Sequence, residues 1–454
     1  MSESEGPMGD VASRIPARNV RGVDGWGIYL AFVVALAPLA VPIGDYQVAI
    51  LDAFSAVAIA AFAIGVLSRR IEPRAPFLAA AFVIATGSLI AVVNAESVPA
   101  AAVALVQDAY LYVWFIMLVS VMRLRGDLVG LRMGWVAMGC IVAIVALVGV
   151  MLKGNATIAG IVGPKGARAT GTFTDPNMCA DYLGMSLFIA LSLSGHVGRL
   201  LRWGAVALLF TAIVATKSNG GALSLMVGLL VWAVVRARTR RLPLPVLAGA
   251  ALLAVSVVLS AWWMAAGFGV ADQQLKGFEA RSFLARAGHS SEGRLKIWRQ
   301  LEQTLQKSPL GIGPGNSRWV ALTVEGRERP HSMYSKEAHN DYLAYAIERG
   351  PLALLALLFL LWQAFAKVRF MWKRRSRSAA ADRSAGALAA ALAGALACSA
   401  VHSLTIERLH FRHYWLLLAM VCALAETARP LAARRSATAP EPEKTAPPLA
   451  LARA

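Results

Sequence analysis

The chain has 454 residues, of which 57% are hydrophobic and only 16% charged, and its mean hydropathy is +0.58. These values exclude an ordinary soluble domain. The formal charge of +19 would suggest nucleic acid in a soluble protein, but here basic residues fall between apolar runs, where they set topology and meet anionic headgroups. Membrane lipid is therefore an expected partner and nucleic acid is not.

About 24 mostly polar residues come first and lack the pattern of a cleavable leader. Apolar runs of roughly 18 to 24 residues follow, the length of helix that crosses about 30 Å of hydrocarbon. Lipid leaves the backbone no partner outside a helix or a closed barrel. The alternating segments of a barrel, about ten residues each, are absent. The pattern predicts an all-α polytopic membrane protein with about twelve transmembrane helices, near residues 25–44, 47–68, 76–94, 99–122, 133–152, 178–195, 203–218, 220–235, 244–267, 343–367, 384–405 and 409–427. The organisation that follows is a tail at 1–24, nine spans over 25–267, a partly helical loop at 268–342, three spans over 343–427 and a disordered tail at 428–454.

Alternate connections are basic: Arg69, Arg70 and Arg74; Arg123, Arg125 and Arg132; Arg199 and Arg202; Arg236 to Arg241; and Lys367 to Arg383. Both tails share this character, so both termini are expected in the cytoplasm. The segments 153–177 and 268–342 are then expected on the opposite, external side, which reads as the periplasm. Cys140, Cys179, Cys398 and Cys422 fall within or at the ends of spans and read as small apolar side chains. Neither a disulfide nor a metal site is expected from them.

Three places carry groups that topology does not explain. The first runs from Lys165 and Arg168 to Asp175, Pro176 and Asn177. Asp175 followed by Pro176 is an ordinary helix start, a capping side chain and then proline at the first helical position. Lys165 and Arg168 just upstream add cations beside the positive end of that helix, which attracts phosphate. The second is a helical pattern from Ser290 to about Gln306, whose Leu295, Trp298, Leu301 and Leu305 share one face that should pack against membrane or other helices. Arg294 stands in its first turn, where the macrodipole disfavours a cation, so an acidic partner or an anionic ligand is implied. Gly311, Gly313 and Gly315 follow, read as a sharp loop or as backbone approaching a ligand.

The third place is Glu337 to Leu343, with Glu348, Arg349 and Gly350 just beyond. Asn340 or Asp341 could cap a helix there. Glu348 and Arg349 lie about two turns into an apolar segment, where ionisable groups are expensive and pair or serve function. Asp108, a lone acid inside the fourth span, calls for a buried partner on the same grounds. Glu407, Arg408, His410, Arg412 and His413 crowd the start of the last span, where a belt of snorkelling side chains is favoured over an acceptor entrance.

These motifs resemble the O-antigen ligase and polymerase superfamily of bacterial membrane glycosyltransferases. The resemblance covers about Arg168 to Gly350 and rests on Arg168, Gly171, Pro176 and Asn177; Gly293, Arg294 and Trp298; Pro309, Gly311 and Gly313; and His339, Asn340, Leu343, Glu348 and Gly350, in that order. One departure stands out. Members often carry a Ser-Arg pair in the turn before the eighth span, and here the turn reads Thr216-Lys217-Ser218-Asn219-Gly220. Lys217 supplies charge but lacks the planar fork of arginine.

The resemblance implies transfer of a glycan from undecaprenyl diphosphate to an acceptor hydroxyl, without metal or other cofactor. His339 is the expected general base, with Arg294 and Arg168 the first cations for the diphosphate and Lys165, Arg281 and Lys217 in reserve. Asn340, Glu348, Arg349, Asp175, Asn177 and Trp298 are expected in support. The acceptor would be lipid A core for a ligase, favoured on compactness and motif order, or another lipid-linked glycan for a polymerase. A protein O-glycosyltransferase is a third version. A transporter or flippase of lipid-linked glycans is the alternative from a different class. Oligomeric state is left open by the sequence.

Overall fold

The computed structural model describes residues 24–39, 41–43, 46–126, 128–152, 168–173, 175–240, 298–299, 301–317, 322–324, 327–329, 339–373 and 379–427. Lys165, Arg281, Arg294, the ninth predicted span and the two tails, Asp24 aside, lie outside the described residues. The described part is all-α. Its helices are α1 (Gly25–Leu36), α2 (Ile50–Leu67), α3 (Leu78–Ala91), α4 (Val98–Met122), α5 (Val129–Met151), α6 (Pro176–Ser192), α7 (Arg199–Thr216), α8 (Asn219–Arg240), α9 (Asp341–Lys373), α10 (Ala379–His402) and α11 (Arg412–Thr427). Two small antiparallel hairpins complete it, β1 (Val41–Ile43) with β2 (Tyr46–Val48), and β3 (Leu322–Val324) with β4 (Arg327–Arg329).

Seven of the described helices are long and apolar enough to cross a membrane, so the protein is a multi-pass membrane protein. Sequence and structure differ at the first predicted span. Helix α1 stops at Leu36, and at 12 residues it reaches only about 18 Å at 1.5 Å per residue. Pro38 and Pro42, which cannot donate to a helical ladder, follow, and Val41–Ile43 form strand β1 instead of helix.

Helix α6 is the hub of the bundle. From Cys179 to Ser192 every residue is buried, the signature of a helix surrounded by protein. Its last turn is capped from α5, where buried Arg132 donates to the Ser192 carbonyl at 3.0 Å. Helices α8 and α10 touch backbone to backbone. A Cβ on Gly228 would stand 2.8 Å from the Gly394 carbonyl oxygen, and one on Gly394 3.0 Å from that of Gly228, so small residues permit the approach. Buried polar groups also join α1, α2 and α4. Trp114 Nε1 of α4 donates to the Tyr29 hydroxyl of α1 at 2.7 Å, which is 2.8 Å from Ser55 Oγ of α2.

The basic connections share one end of the bundle. Arg125 after α4 pairs with Asp24 before α1, and Arg123 lies 3.0 Å from Glu72 in the α2–α3 connection. Helix α9 is broken near the opposite end. Gly350 has φ +82°, Pro351 follows, and the chain turns between a first segment, 341–349, and the longer apolar one. Proline removes the ladder donor, and glycine takes the left-handed backbone that other residues resist.

Candidate active site

Two short segments meet at the break in α9. A Cβ on Gly311 would come within 2.8 Å of the Glu348 carbonyl oxygen and the Gly350 amide nitrogen, and one on Gly350 within 2.8 Å of the Leu310 carbonyl oxygen. Ile312 N–H donates to the Ile347 carbonyl at 2.9 Å. The Glu348 carboxylate then accepts from Gly315 N–H at 2.9 Å, Ser317 N–H at 3.2 Å and Ser317 Oγ at 2.6 Å. Glu348 therefore organises the glycine loop rather than holding Arg349. Arg349 instead forms an ion pair with Asp108, donates to Ser88 Oγ at 3.0 Å and lies over the Tyr345 ring. This supplies the partner that Asp108 required. Leu301 and Leu305 pack on Ile312, Leu343, Ala344 and Ile347, so that part of the predicted amphipathic face meets protein. Trp298, three residues before Leu301, is half-buried.

At the start of α6, Asp175 caps the helix by accepting from Asn177 N–H at 2.7 Å. Asn177 also reaches outward. Its Oδ1 accepts from Arg168 Nη2 at 3.2 Å and from Ser218 Oγ at 2.6 Å. Arg168 Nε donates to the Thr216 carbonyl at 2.9 Å. Lys217 ends α7 with φ +50° and turns the chain into α8. Arg168, Asn177, Lys217 and Ser218 thus form one group at the start of two helices, α6 and α8, where the positive ends of the dipoles favour an anion.

His339 precedes the first segment of α9. It is half-buried, with φ +51°, a left-handed conformation costing a non-glycine residue about 1–2 kcal/mol. Its N–H donates to the Glu407 carboxylate at 3.1 Å. Asn340 is the cap, its Oδ1 accepting from Tyr342 N–H at 3.0 Å and Leu343 N–H at 3.1 Å. The Arg168 group and His339 lie at one end of the bundle. The start of α8 abuts the turn after α10, since a Cβ on Gly220 would collide with Thr405, and Glu407 belongs to that same turn.

The expected snorkelling belt is not what forms. Arg408 and His413 are fully buried around Asp181 of α6. Arg408 Nη1 lies 3.3 and 3.4 Å from the two Asp181 oxygens, His402 Nδ1 at 3.1 Å from one and His413 Nε2 at 3.0 Å from the other. An ionised carboxylate accepts only, so both imidazoles donate to it. Arg408 also donates to Ser403 Oγ at 2.8 Å and stacks over Tyr414. Burial works against the Arg408 charge, yet the Asp181 carboxylate outweighs it and raises the pKa above the ordinary value. Arg412 pairs with Asp52 of α2, which also accepts from Tyr110 at 2.9 Å. The physical reason is that α6, α10 and α11 enclose this region, so the charges have partners within reach and no lipid boundary to snorkel towards. Asp181 and His402 escaped sequence reading. The available signal was that each is an ionisable residue inside or beside an apolar run.

Fold and site together define a multi-pass all-α membrane protein with a buried ionic network and a half-buried histidine at one end. Residues 204–358 match the family model described as O-antigen ligase. That interval takes in the turn at Lys217, Trp298, the glycine loop, His339 and the break at Gly350, and it supports the O-antigen ligase and polymerase superfamily that the motifs resemble. Such families contain glycosyltransferase-like enzymes acting on lipid-linked glycans. No match was found among curated proteins.

Proposed function

We propose that the protein transfers a glycan from undecaprenyl diphosphate to an acceptor hydroxyl on the periplasmic face of the bacterial inner membrane, as an O-antigen ligase with lipid A core as acceptor. The observation that carries this reading is the O-antigen ligase match over 204–358, which encloses the His339 turn. In the reaction, the acceptor oxygen attacks the anomeric carbon and its proton passes to neutral His339. The bond from that carbon to the diphosphate oxygen breaks, with inversion, and undecaprenyl diphosphate leaves. Negative charge grows on the diphosphate, and fixed cations lower the barrier most when they are already in place. Arg168, braced by Thr216 and Asn177, is suited to that work, with Arg294, Lys165, Arg281 and Lys217 completing the cationic set. Arginine forks match phosphate oxygens. No metal ion takes part in this proposal.

The test is transfer by purified protein, in EDTA, from undecaprenyl diphosphate-linked oligosaccharide to lipid A core mixed with unmodified donor. His339→Ala is expected to lower the rate about 10²–10⁴-fold, the usual range for a lost general base. Arg168→Ala and Arg294→Ala are expected to lower it about 10²–10³-fold, as for other lost charge-stabilising donors. Product on the donor instead of the core would make the protein a polymerase. Movement of intact donor across vesicles without transfer would replace the enzyme with a transporter.

A further inference from the structure

We propose that Asp181 is a positioning residue for His339, acting through Arg408 and Asp341, so that helix α6 holds both the cationic and the basic side of the site. This rests on the reading of His339 as the base. A helix enclosed by protein packs well with apolar residues alone, and burying a carboxylate is costly unless its partners repay the lost hydration. Asp181 has three such partners, from the end of α10, the following turn and α11.

The network reaches the His339 turn through Arg408. The Arg408 guanidinium lies 3.8 Å from an Asp341 oxygen, and Arg408 N–H donates to the other at 2.9 Å. Leu409 N–H donates to that same oxygen at 3.3 Å, while Asp341 N–H donates to the Ser403 carbonyl at 2.8 Å. Asp341 follows His339 by two residues, and Glu407, which accepts the His339 N–H, adjoins Arg408. The left-handed backbone of His339 is thus clamped on both sides by the turn that Asp181 anchors. Strain of this kind persists only where its surroundings over-determine it.

The same helix reaches the other side of the site. Asn177, which braces Arg168, precedes Asp181 by four residues, so the two side chains lie one turn apart on neighbouring positions. A rigid helical turn therefore sets the spacing between the Arg168 cation and the His339 turn.

The experiment uses the full chain and reads both labelling and transfer. Asp181→Asn keeps the shape and removes the charge, leaving Arg408 with Asp341 as counter-ion. Labelling of His339 by diethyl pyrocarbonate, followed by mass spectrometry, is measured relative to exposed His196. The expected result is a change in that ratio of about threefold or more, and a kcat lower by about tenfold to a hundredfold with donor KM within about twofold, the pattern of misplacement without lost binding. Glu72→Gln, at the other end of the bundle, serves as the control with wild-type values. An unchanged labelling ratio, or a raised KM at unchanged kcat, would overturn the proposal. Should Asp181→Asn fail to give a cooperative melt, Arg408→Lys is read by the same criteria. If the wild type transfers no glycan, the proposed function fails and the labelling ratio alone decides the role of Asp181.

Discussion

The two ends of the bundle use the same residue types to opposite effect. Near the basic connections, Glu72 meets Arg74 and Arg123 with side chains that are 65%, 43% and 19% exposed, whereas Asp181 and Arg408 at the other end are wholly buried. Exposed pairs are screened by water and salt and can be rearranged cheaply. Buried ones have fixed geometry, because any partner that leaves strands an unsolvated charge. The end that carries His339 is therefore the end where position is enforced.

Breaking the buried network should have the largest effect on stability. Arg408→Leu leaves Asp181 and Asp341 without their shared cation, and about 3–5 kcal/mol of stability should be lost, read from thermal unfolding in lipid nanodiscs. A smaller loss is expected at the helix break. Gly350→Ala forces a side chain into left-handed backbone and against the Leu310 carbonyl, and about 1–3 kcal/mol should follow from the strain. Asp108→Asn comes next. It leaves Arg349 with Ser88 and the Tyr345 ring, and Asp108 is itself partly exposed, so a loss of about 1–2 kcal/mol is expected. Glu72→Gln closes the series. A change within about 0.5 kcal/mol is expected, shrinking further with added salt. If it matched Arg408→Leu, the contrast between the two ends would be wrong.

Much of the site was legible because its motifs are local. Asp175 capping α6, Asn340 capping α9 and the sharp Gly311–Gly315 loop follow from residue chemistry within a few positions. The role of Glu348 was not local. It faces the glycine loop 31 and 33 residues away in sequence, while its neighbour Arg349 finds Asp108 across 241. Successive helical residues point in different directions, so adjacency in sequence does not make two charges partners. His413 and Arg408 were misjudged for a related reason. A charge at the start of an apolar helix snorkels if it faces lipid and must pair if it faces protein, and hydropathy cannot distinguish the two faces.

By itself, the sequence determined the all-α membrane class, the positions of most helices and the three motif segments, because apolar length, capping chemistry and glycine punctuation are properties of short stretches of chain. Only the tertiary structure decided that α6 is enclosed, that Asp181 gathers Arg408, His402 and His413, and that the turn they anchor holds His339. Those contacts span more than two hundred residues, and which faces meet is settled by packing among all the helices at once.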